Sequence, residues 1–207
     1  MSNFSNAQTD IAKIWNTLTI NLKHQNYRFY LEPQLRLQDA PNKLDQFLNN
    51  MGVGYQITPS LALWAGTTSL IVGSLNIAPN RSEFRFWQQM TLMKNNKNYN
   101  LHWRTRLEER KRELFPDLNY RLRNRLTVNK VFYKSLGWVL ANELLVNLNK
   151  PIWITTKTLD QNRFFIGISQ KASKNLTVGI GYLNQYIFTT EPIIGHVASL
   201  SAQWENN

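Results

Sequence analysis

The sequence predicts an all-β protein, an antiparallel up-and-down transmembrane β-barrel of about 12 strands, with ten strands as the alternative. Three features carry this prediction. Polar and apolar residues alternate along most of the chain, long helical patterns are nearly absent, and short connections alternate with long ones. The 207 residues are expected to form a single domain, 1–207, in which residues 1–11 are an N-terminal extension.

Eleven segments alternate with a period of two, as strands of a sheet with two unlike faces do. Most are at least as long as the ~9–11 residues that a tilted transmembrane strand needs. They comprise residues 14–23, 27–38, 44–57, 61–72, 83–94, 99–110, 119–132, 137–148, 162–171, 176–188 and 196–204. Because single-chain bacterial barrels usually have an even number of strands, a twelfth strand is expected in a long connection such as 149–161.

The connections between these segments alternate in length. The short ones read HQN, TPS, NNKN, YKSL and ASKN, whereas intervening ones such as GSLNIAPNRS and NKPIWITTKTLDQ are longer. Outer-membrane barrels have short turns at the periplasmic rim and long loops at the opposite rim. A soluble lipocalin-like barrel is the alternative, but it would turn apolar residues inward and polar residues outward.

The composition limits the function classes. There are 24 Lys and Arg residues against 13 Asp and Glu, a formal net charge of +11, which fits a folded protein facing nucleic acid, lipid head groups or an acidic solute. The absence of cysteine excludes disulfides, thiolate metal sites and a cysteine nucleophile. No apolar run reaches the ~18 residues of a membrane-spanning helix. The polar start MSNFSNAQTD lacks the apolar core of a signal peptide, so we expect either a cytoplasmic protein or a sequence that begins at the mature N-terminus.

Two neighbouring segments carry an arginine at every second position. One parity of WRTRLEER (103–110) holds Arg104, Arg106, Glu108 and Arg110, and one parity of YRLRNRL (120–126) holds Arg121, Arg123 and Arg125. An arginine facing lipid near the bilayer midplane would cost ~2–4 kcal/mol, so this parity is predicted to face a wet lumen. For the first ladder, a solvated helix face with a Glu108–Arg112 pair is the alternative.

Other segments place charged residues on the same predicted side. The expected lumenal charge network comprises Arg28, Glu32, Arg36, Arg104, Arg106, Glu108, Arg110, Arg121, Arg123, Arg125, Glu143 and Arg163. Glu32, Glu108 and Glu143 are the expected partners in charge-assisted or bidentate pairs. Arginines outnumber these carboxylates, so the interior is expected to be electropositive and to favour anions if water can pass through it.

The tryptophans and one proline carry separate expectations. Any one tryptophan taken alone is expected to be buried in a core, whereas the set as a whole is expected to contribute to the aromatic girdles of a membrane barrel. They are Trp15, Trp64, Trp87, Trp103, Trp138, Trp153 and Trp204. Pro33 lies within segment 27–38 and cannot donate a ladder hydrogen bond, so a bulge or a frayed edge is expected there.

Patterns for catalysis and metal binding are sparse. His24, His102 and His196 are scattered without metal-ligand spacing, and no nucleotide-binding fingerprint is present. We therefore predict no metal and no cofactor. A lipid hydrolase that uses His102 or His196 with Ser199 or Ser201 is one alternative function.

The order of several motifs resembles a known family. A first strand with Trp15, then LDQFLNNMGVGYQI, the pair WRTRLEER and RLRNRL, ANELLVNL, DQNRFFIGI and GYLNQY resemble the uncharacterised outer-membrane β-barrel proteins of Gram-negative bacteria that are known only as a domain of unknown function. The resemblance covers almost the whole chain. It implies a bacterial outer-membrane location and a cleaved signal peptide. It implies no known activity, so no catalytic residue follows from it.

The leading function hypothesis is an outer-membrane β-barrel with an Arg-rich lumen, either a narrow anion-preferring channel or a structural or surface-interaction barrel. Its expected partners are outer-membrane lipid, meaning lipopolysaccharide or phospholipid, and small anionic solutes, whereas nucleic acid is not expected. The alternatives are the lipid-modifying hydrolase and a soluble basic β-protein that binds nucleic acid.

Overall fold

A computed structural model describes residues 8–38, 44–73, 81–97 and 99–206, which form a closed barrel of eleven strands. The strands are β1 (Thr9–His24), β2 (Tyr27–Gln38), β3 (Leu44–Thr58), β4 (Leu61–Val72), β5 (Arg81–Asn95), β6 (Asn100–Arg112), β7 (Leu118–Tyr133), β8 (Leu136–Asn147), β9 (Leu159–Lys171), β10 (Leu176–Ile187) and β11 (Ile193–Glu205). Neighbours in sequence pair antiparallel, and β1 pairs with β11 in parallel to close the barrel. The predicted all-β, up-and-down barrel is confirmed.

The number of strands differs from the twelve, or alternatively ten, that we expected. Residues 148–158 form turns and irregular chain rather than a further strand. Eleven strands can close because the first and last strands run side by side in the same direction. The expectation of an even number assumed an antiparallel closing pair, which nothing in the alternating pattern requires. β1 also begins at Thr9, so the end of the predicted extension 1–11 is part of the barrel wall, and residues 1–7 lie outside the described ranges.

The connections lie at two different rims of the barrel. One end of the barrel, which we name the short-turn rim, is where β1 ends and β2 begins, and likewise for β3 and β4, β5 and β6, β7 and β8, and β9 and β10. At the opposite end, the long-loop rim, β2 ends and β3 begins and β4 ends and β5 begins, and residues 113–117, 148–158 and 188–192 join the later strands. In the described ranges, no helix is long and apolar enough to cross a membrane.

The strands are strongly staggered relative to one another. Following register partners once around the barrel from Thr9, through Ile193 of β11 and onward to Arg28 of β2, leads back to β1 at Lys23, fourteen residues further along. A stagger of this kind requires strands tilted by ~35–45° to the barrel axis. Residues paired in register therefore lie at progressively different heights.

Alternate side chains of each strand point into the lumen and out of the barrel. In β6, for example, Arg106 and Glu108 are buried inside, whereas Trp103 is 44% exposed on the outside. Large apolar side chains exposed on the outer face include Leu18, Leu22, Phe29, Leu31, Met51, Val53, Leu63, Phe84, Phe86, Leu126, Ile166, Ile168, Ile180 and Leu200. The barrel thus has a charged interior and an apolar exterior, the reverse of a soluble barrel.

The tryptophans divide between the two faces. Trp103 and Trp204 are exposed outside, and Trp138 has the outward parity of β8. Four others share the lumenal side or close its end: Trp15, Trp64, Trp87 and Trp153. These four lie inside, as expected for a tryptophan taken alone, and do not join the girdle that was expected for the set. A position near the end of a strand does not show whether a tryptophan side chain points into or out of the barrel. It also does not show whether an arginine lies close enough to stack on the ring.

Pro33 interrupts the ladder between β1 and β2. Register pairs are formed by Thr17 with Gln34 and by Ile20 with Leu31, while the residues between them make no pairs. The register is the same on both sides of the gap, so Pro33 loosens the ladder locally without the shift of a bulge.

The buried Trp87 indole requires two glycines on neighbouring strands. Its ring lies against Gly52 of β3 and Gly66 of β4, and a Cβ atom at either position would overlap the ring. Trp87 itself has no exposed surface. The pair of glycines therefore makes room for the largest side chain of the interior.

We expect Gly66→Val to destabilise the barrel by ~1–3 kcal/mol, because the added methyl groups overpack the interior. Ala65→Val is the matched control, since Ala65 is exposed on the outer face one residue away. The measurement is the free energy of unfolding in detergent micelles from urea titration followed by tryptophan fluorescence. Equal free energies for the two variants would contradict this packing.

Candidate functional site

A fully buried carboxylate forms the centre of the interior. Both oxygens of Glu108 accept hydrogen bonds: Oε2 from Nε and Nη2 of Arg121 at 3.0 and 2.6 Å, and Oε1 from Nη1 of Arg123 at 2.7 Å. Glu108 comes from β6, and both arginines come from the adjacent β7. Charge-assisted bonds to both oxygens offset the cost of removing this carboxylate from water.

Arg123 links Glu108 to a second carboxylate on the next strand. Its Nη2 donates to Oε1 of Glu143 at 2.7 Å. Arg104 donates to the same oxygen, and Nη1 of Arg163 lies 3.4 Å from the other oxygen, Oε2. Glu143 therefore holds three arginines from β6, β7 and β9 together and continues the charge network across four strands.

Three members of the network were absent from the sequence-based prediction. Glu83 accepts a bidentate pair from Arg110 at 2.7 and 3.0 Å and a bond from Arg85 at 2.7 Å. Asp160 accepts from Nη1 of Arg121 at 2.8 Å. The alternation in EFRF, residues 83–86, already carried the signal for Glu83 and Arg85. Asp160 preceded the segment expected to start at 162, so no parity could be assigned to it.

Buried amides extend the network to the long-loop rim. Arg110 donates to Asn119, and Asn119 donates to Asn147 at 3.3 Å. Asn147 in turn donates to Oγ1 of Thr156 at 3.0 Å. The Trp153 indole N–H donates to the carbonyl of Asp117 at 3.2 Å, and its ring is buried. Loop 148–158 is thereby fixed over this end of the lumen.

Five arginines lie over the rings of Trp15, Trp87 and Trp153, and three of them make the shortest contacts. The guanidinium carbon of Arg36 lies 3.9 Å from the ring centroid of Trp15, and that of Arg106 lies 4.0 Å from Trp87. Arg110 lies 5.2 Å from Trp153. A guanidinium over an indole face is stabilised by the ring quadrupole, which gives these tryptophans a reason to face inward.

Two predicted network residues have amide rather than carboxylate partners. Arg36 donates to the side-chain oxygens of Gln34 and Gln46 at 2.7 and 2.8 Å. Arg106 donates from Nε to Oε1 of Gln89 at 2.8 Å. Among the described residues, neither arginine forms an ion pair. Amide oxygens and tryptophan rings therefore stabilise these two guanidinium charges, for which the sequence had predicted glutamate partners.

The remaining predicted residues lie at the margin of the network. Glu32 accepts from Gln34 at 2.6 Å, and also from Asn50 and Thr19, instead of pairing with an arginine. Arg28 lies at the short-turn rim, where it donates to the backbone carbonyls of residues 25 and 27. Arg125 faces the lumen from β7, but no hydrogen bond involves its guanidinium within the described structure.

Arginine exceeds carboxylate in the described lumen. The arginines are Arg36, Arg85, Arg104, Arg106, Arg110, Arg121, Arg123, Arg125 and Arg163. The carboxylates are Glu32, Glu83, Glu108, Glu143 and Asp160. Nine against five leaves four positive charges that this set does not neutralise. Lys13 and Asp45, which pair at 3.1 Å, add one charge of each sign, and Arg112 at the end of β6 adds a further positive charge, so the excess is at least four.

Along β6 and β7, lumenal side chains become more exposed toward the short-turn rim. Side-chain exposure rises from 4% for Arg121 to 13% for Arg123 and 15% for Arg104, in the order in which they approach the short turns. Ser201 and Gln203, on lumenal parity near the end of β11, are exposed. Water can therefore reach the arginines nearest the short-turn rim from that end of the barrel.

The serines and histidines considered for a hydrolase are not brought together. His196 points outward, where Nδ1 lies 2.7 Å from the Tyr182 hydroxyl, while Ser199 and Ser201 have the opposite parity on the same strand. His102 is on β6, five strands away from β11 around the barrel. In the described ranges, no group of three or more His, Asp or Glu residues is placed to hold a metal ion.

Comparisons with known proteins agree with part of the resemblance noted in the sequence, namely a family of unknown function. The family described as "Protein of unknown function (DUF2490)" matches residues 12–193. An uncharacterized protein of Methylorubrum extorquens is 30% identical over 197 residues, which cover 92% of this chain and 86% of that protein. Neither description names an activity, a substrate or a location.

We expect Glu108→Gln to destabilise the barrel by ~3–5 kcal/mol, because it leaves two buried guanidiniums without their shared counter-charge. Glu109→Gln is the control at the next position, since Glu109 has the outward parity of β6 and contacts Gln88 at 3.3 Å. The free energy of unfolding in detergent gives the comparison. A change for Glu108→Gln no larger than that for Glu109→Gln would show that the pairing contributes little.

Proposed function

This chain belongs to the DUF2490 family of proteins of unknown function, and on that premise we propose that it is a bacterial outer-membrane β-barrel whose lumen is closed by its own charge network. The observation that carries the proposal is the segregation of residues: charges are buried inside, and large apolar side chains are exposed outside. Such an exterior matches the hydrocarbon of a bilayer better than water.

The aromatic side chains on the outside support a membrane position. At the short-turn rim, Tyr27 and Tyr55 pack edge to face with centroids 5.3 Å apart, and Trp204 is exposed nearby. Toward the long-loop rim, Phe84 and Tyr120 are exposed. Aromatic residues at both edges of an apolar belt are typical of barrels that sit between two membrane interfaces.

Some polar side chains on the outer face pair with each other across strands. The Thr105 hydroxyl donates to Asn124 at 2.7 Å, and Asn142 donates to Asn162 at 2.7 Å. A polar group left unpaired in hydrocarbon would cost several kcal/mol, so cross-strand pairing makes these positions compatible with lipid. Lipopolysaccharide or phospholipid is accordingly the proposed partner of the exterior.

The filled interior favours a structural or surface-interaction barrel over an open pore. Glu108, Asn119 and Trp87 have no exposed surface, and loop 148–158 is bonded across the long-loop end. The excess of four positive charges keeps a narrow anion-preferring channel as a second candidate, because any water path would pass along guanidiniums. The inward orientation of these arginines gives little support to nucleic-acid binding, which would need them on an exposed face.

We expect Leu18→Arg to weaken folding into lipid vesicles by ~2–4 kcal/mol and Leu22→Arg by only ~0–1 kcal/mol, because the cost of a charge on the lipid face falls toward the interface. The two leucines form a matched pair: both lie on the outer face of β1, with 43% and 41% exposure, and Leu22 is closer to the short-turn rim. Denaturant titration in vesicles measures the difference. Equal costs would argue against a bilayer around this surface.

Reconstitution into planar bilayers tests the closed lumen. We expect no steady single-channel current from the folded full-length chain, because the network and loop 148–158 leave no wide aqueous path. A stable current with anion preference would establish the second candidate instead, and one with cation preference would contradict both. Heat-modifiable gel mobility of the same preparation serves as the control for folding.

A further inference from the structure

Two arginines face each other directly across neighbouring strands on the lumenal side. Arg104 of β6 and Arg125 of β7 are register partners. Like charges in this position destabilise a sheet unless something neutralises them. The next pair toward the long-loop rim, Arg106 and Arg123, is relieved by the bonds of Arg123 to two glutamates. The pair of Arg104 and Arg125 has no comparable arrangement.

The hydrogen bonds around this pair leave several donors without acceptors. Arg104 uses one terminal nitrogen for Glu143, while its Nε is buried without a partner. Arg125 faces Glu143 across the ladder, but that carboxylate is already occupied by three other arginines. Glu32, the other carboxylate acting on Arg125, is held by amides and a hydroxyl. The N–H groups of the Arg125 guanidinium therefore remain available as hydrogen-bond donors.

Access to these donors comes from the short-turn rim. Arg104, Gly179 and Ser201 each lie three or four residues from the short-turn end of their strands. On the lumenal side of β9 to β11, Ser169, Gly179, Ser199 and Ser201 carry short side chains there, whereas the Phe165 ring covers Gly167 and Gly181. Ser201 is exposed although it has lumenal parity. His102, the next lumenal residue of β6, lies within electrostatic reach of both arginines.

The rim around this entrance is strongly basic. Its exposed or partly exposed cations are Lys23, Arg28, Lys94, Lys97, Lys130, Lys134, Lys171 and Lys174. Among the described residues at this rim, Glu205 is the only carboxylate, and it lies 3.8 Å from Lys23. The charged residues of the long-loop rim, by contrast, include both signs, with Asp10, Glu113, Asp117 and Glu191 among them. A ring of one sign concentrates counter-ions at its mouth.

We propose that the barrel binds a phosphate-type oxyanion between Arg104 and Arg125, and that this ligand enters through the basic short-turn rim. A tetrahedral oxyanion has the charge that relieves the like-charge pair and the acceptors that match two guanidinium forks. Free phosphate and the phosphate of a lipid head group share this chemistry. The site goes beyond the proposed closed barrel, because it needs an opening at one end only.

The test compares ligand binding by the folded full-length chain in a non-ionic detergent. Inorganic phosphate and dihexanoyl phosphatidic acid are titrated separately by calorimetry against the wild type, Arg125→Gln and Lys150→Gln. Arg125→Gln should weaken binding about tenfold or more, the effect of losing a charge-assisted bidentate pair. Lys150→Gln should leave the dissociation constant unchanged within about twofold, since Lys150 is exposed in loop 148–158 at the opposite rim.

The unfolding temperature is an independent measurement, and the proposal predicts the direction in which it changes. Without phosphate, Arg125→Gln should unfold at the same temperature as the wild type or higher, because it removes a like-charge contact and breaks no hydrogen bond. Added phosphate should raise the unfolding temperature of the wild type and of Arg125→Lys, but not that of Arg125→Gln. This comparison also identifies a variant that fails for reasons of folding.

The outcomes show first whether the site exists and then whether its ligand is a free oxyanion or a lipid head group. Arg125-dependent binding of inorganic phosphate supports the proposal with a free oxyanion as ligand. Arg125-dependent binding of the short-chain lipid alone supports it with a lipid head group as ligand. Equal affinity of the wild type and Arg125→Gln, or no binding of either probe at millimolar concentration, overturns it. Because these measurements need no bilayer, their failure is distinct from failure of the proposed membrane location.

Discussion

The structure depends on keeping guanidinium charge away from its apolar exterior while supplying that charge with partners inside. Glu108 shows how this is achieved: a carboxylate without exposed surface accepts three hydrogen bonds from Arg121 and Arg123. Removing either sign alone would leave a buried charge uncompensated, which is far more costly than having neither. The pairing therefore joins β6 and β7 more firmly than their backbone ladder alone would.

The same constraint fixes the register of the sheet. A slip of one residue between β6 and β7 would turn every second side chain to the other face, placing arginines in the exterior and leucines in the lumen. The inward tryptophans restrict the register further through packing. The Trp87 ring contacts Gly52 and Gly66, where a larger residue would overlap it, and the guanidinium of Arg106 lies over the same ring. Charge pairing sets which face is inside, and aromatic packing sets how the interior is filled.

Charge is also unequal along the barrel axis. The network is compensated by Glu83, Glu108 and Asp160 toward the long-loop rim, whereas the like-charge pair of Arg104 and Arg125 lies toward the short turns. The basic ring at the short-turn rim continues this gradient. Compensated charges toward the long-loop rim and an accessible, electropositive end at the short-turn rim are compatible with a barrel that holds anions without conducting them.

The sequence by itself determined the fold class, the sidedness of the strands and most of the network, because a period of two places alternate residues on opposite faces whatever the strand pairs with. It did not determine the strand number, since the parallel pair of β1 and β11 joins segments at opposite ends of the chain. Nor could it assign partners. Glu108 and Glu32 share the lumenal parity, yet of these two only Glu108 pairs with arginine. Arg28 and Arg125 also share this parity, yet Arg28 bonds to backbone carbonyls at the short-turn rim and Arg125 lies inside without a hydrogen-bond partner in the described structure. The strand number and the side-chain partners depend on how the strands are staggered and how the barrel closes. Both bring residues that are distant in sequence to the same height along the barrel axis, and only the tertiary structure decides them.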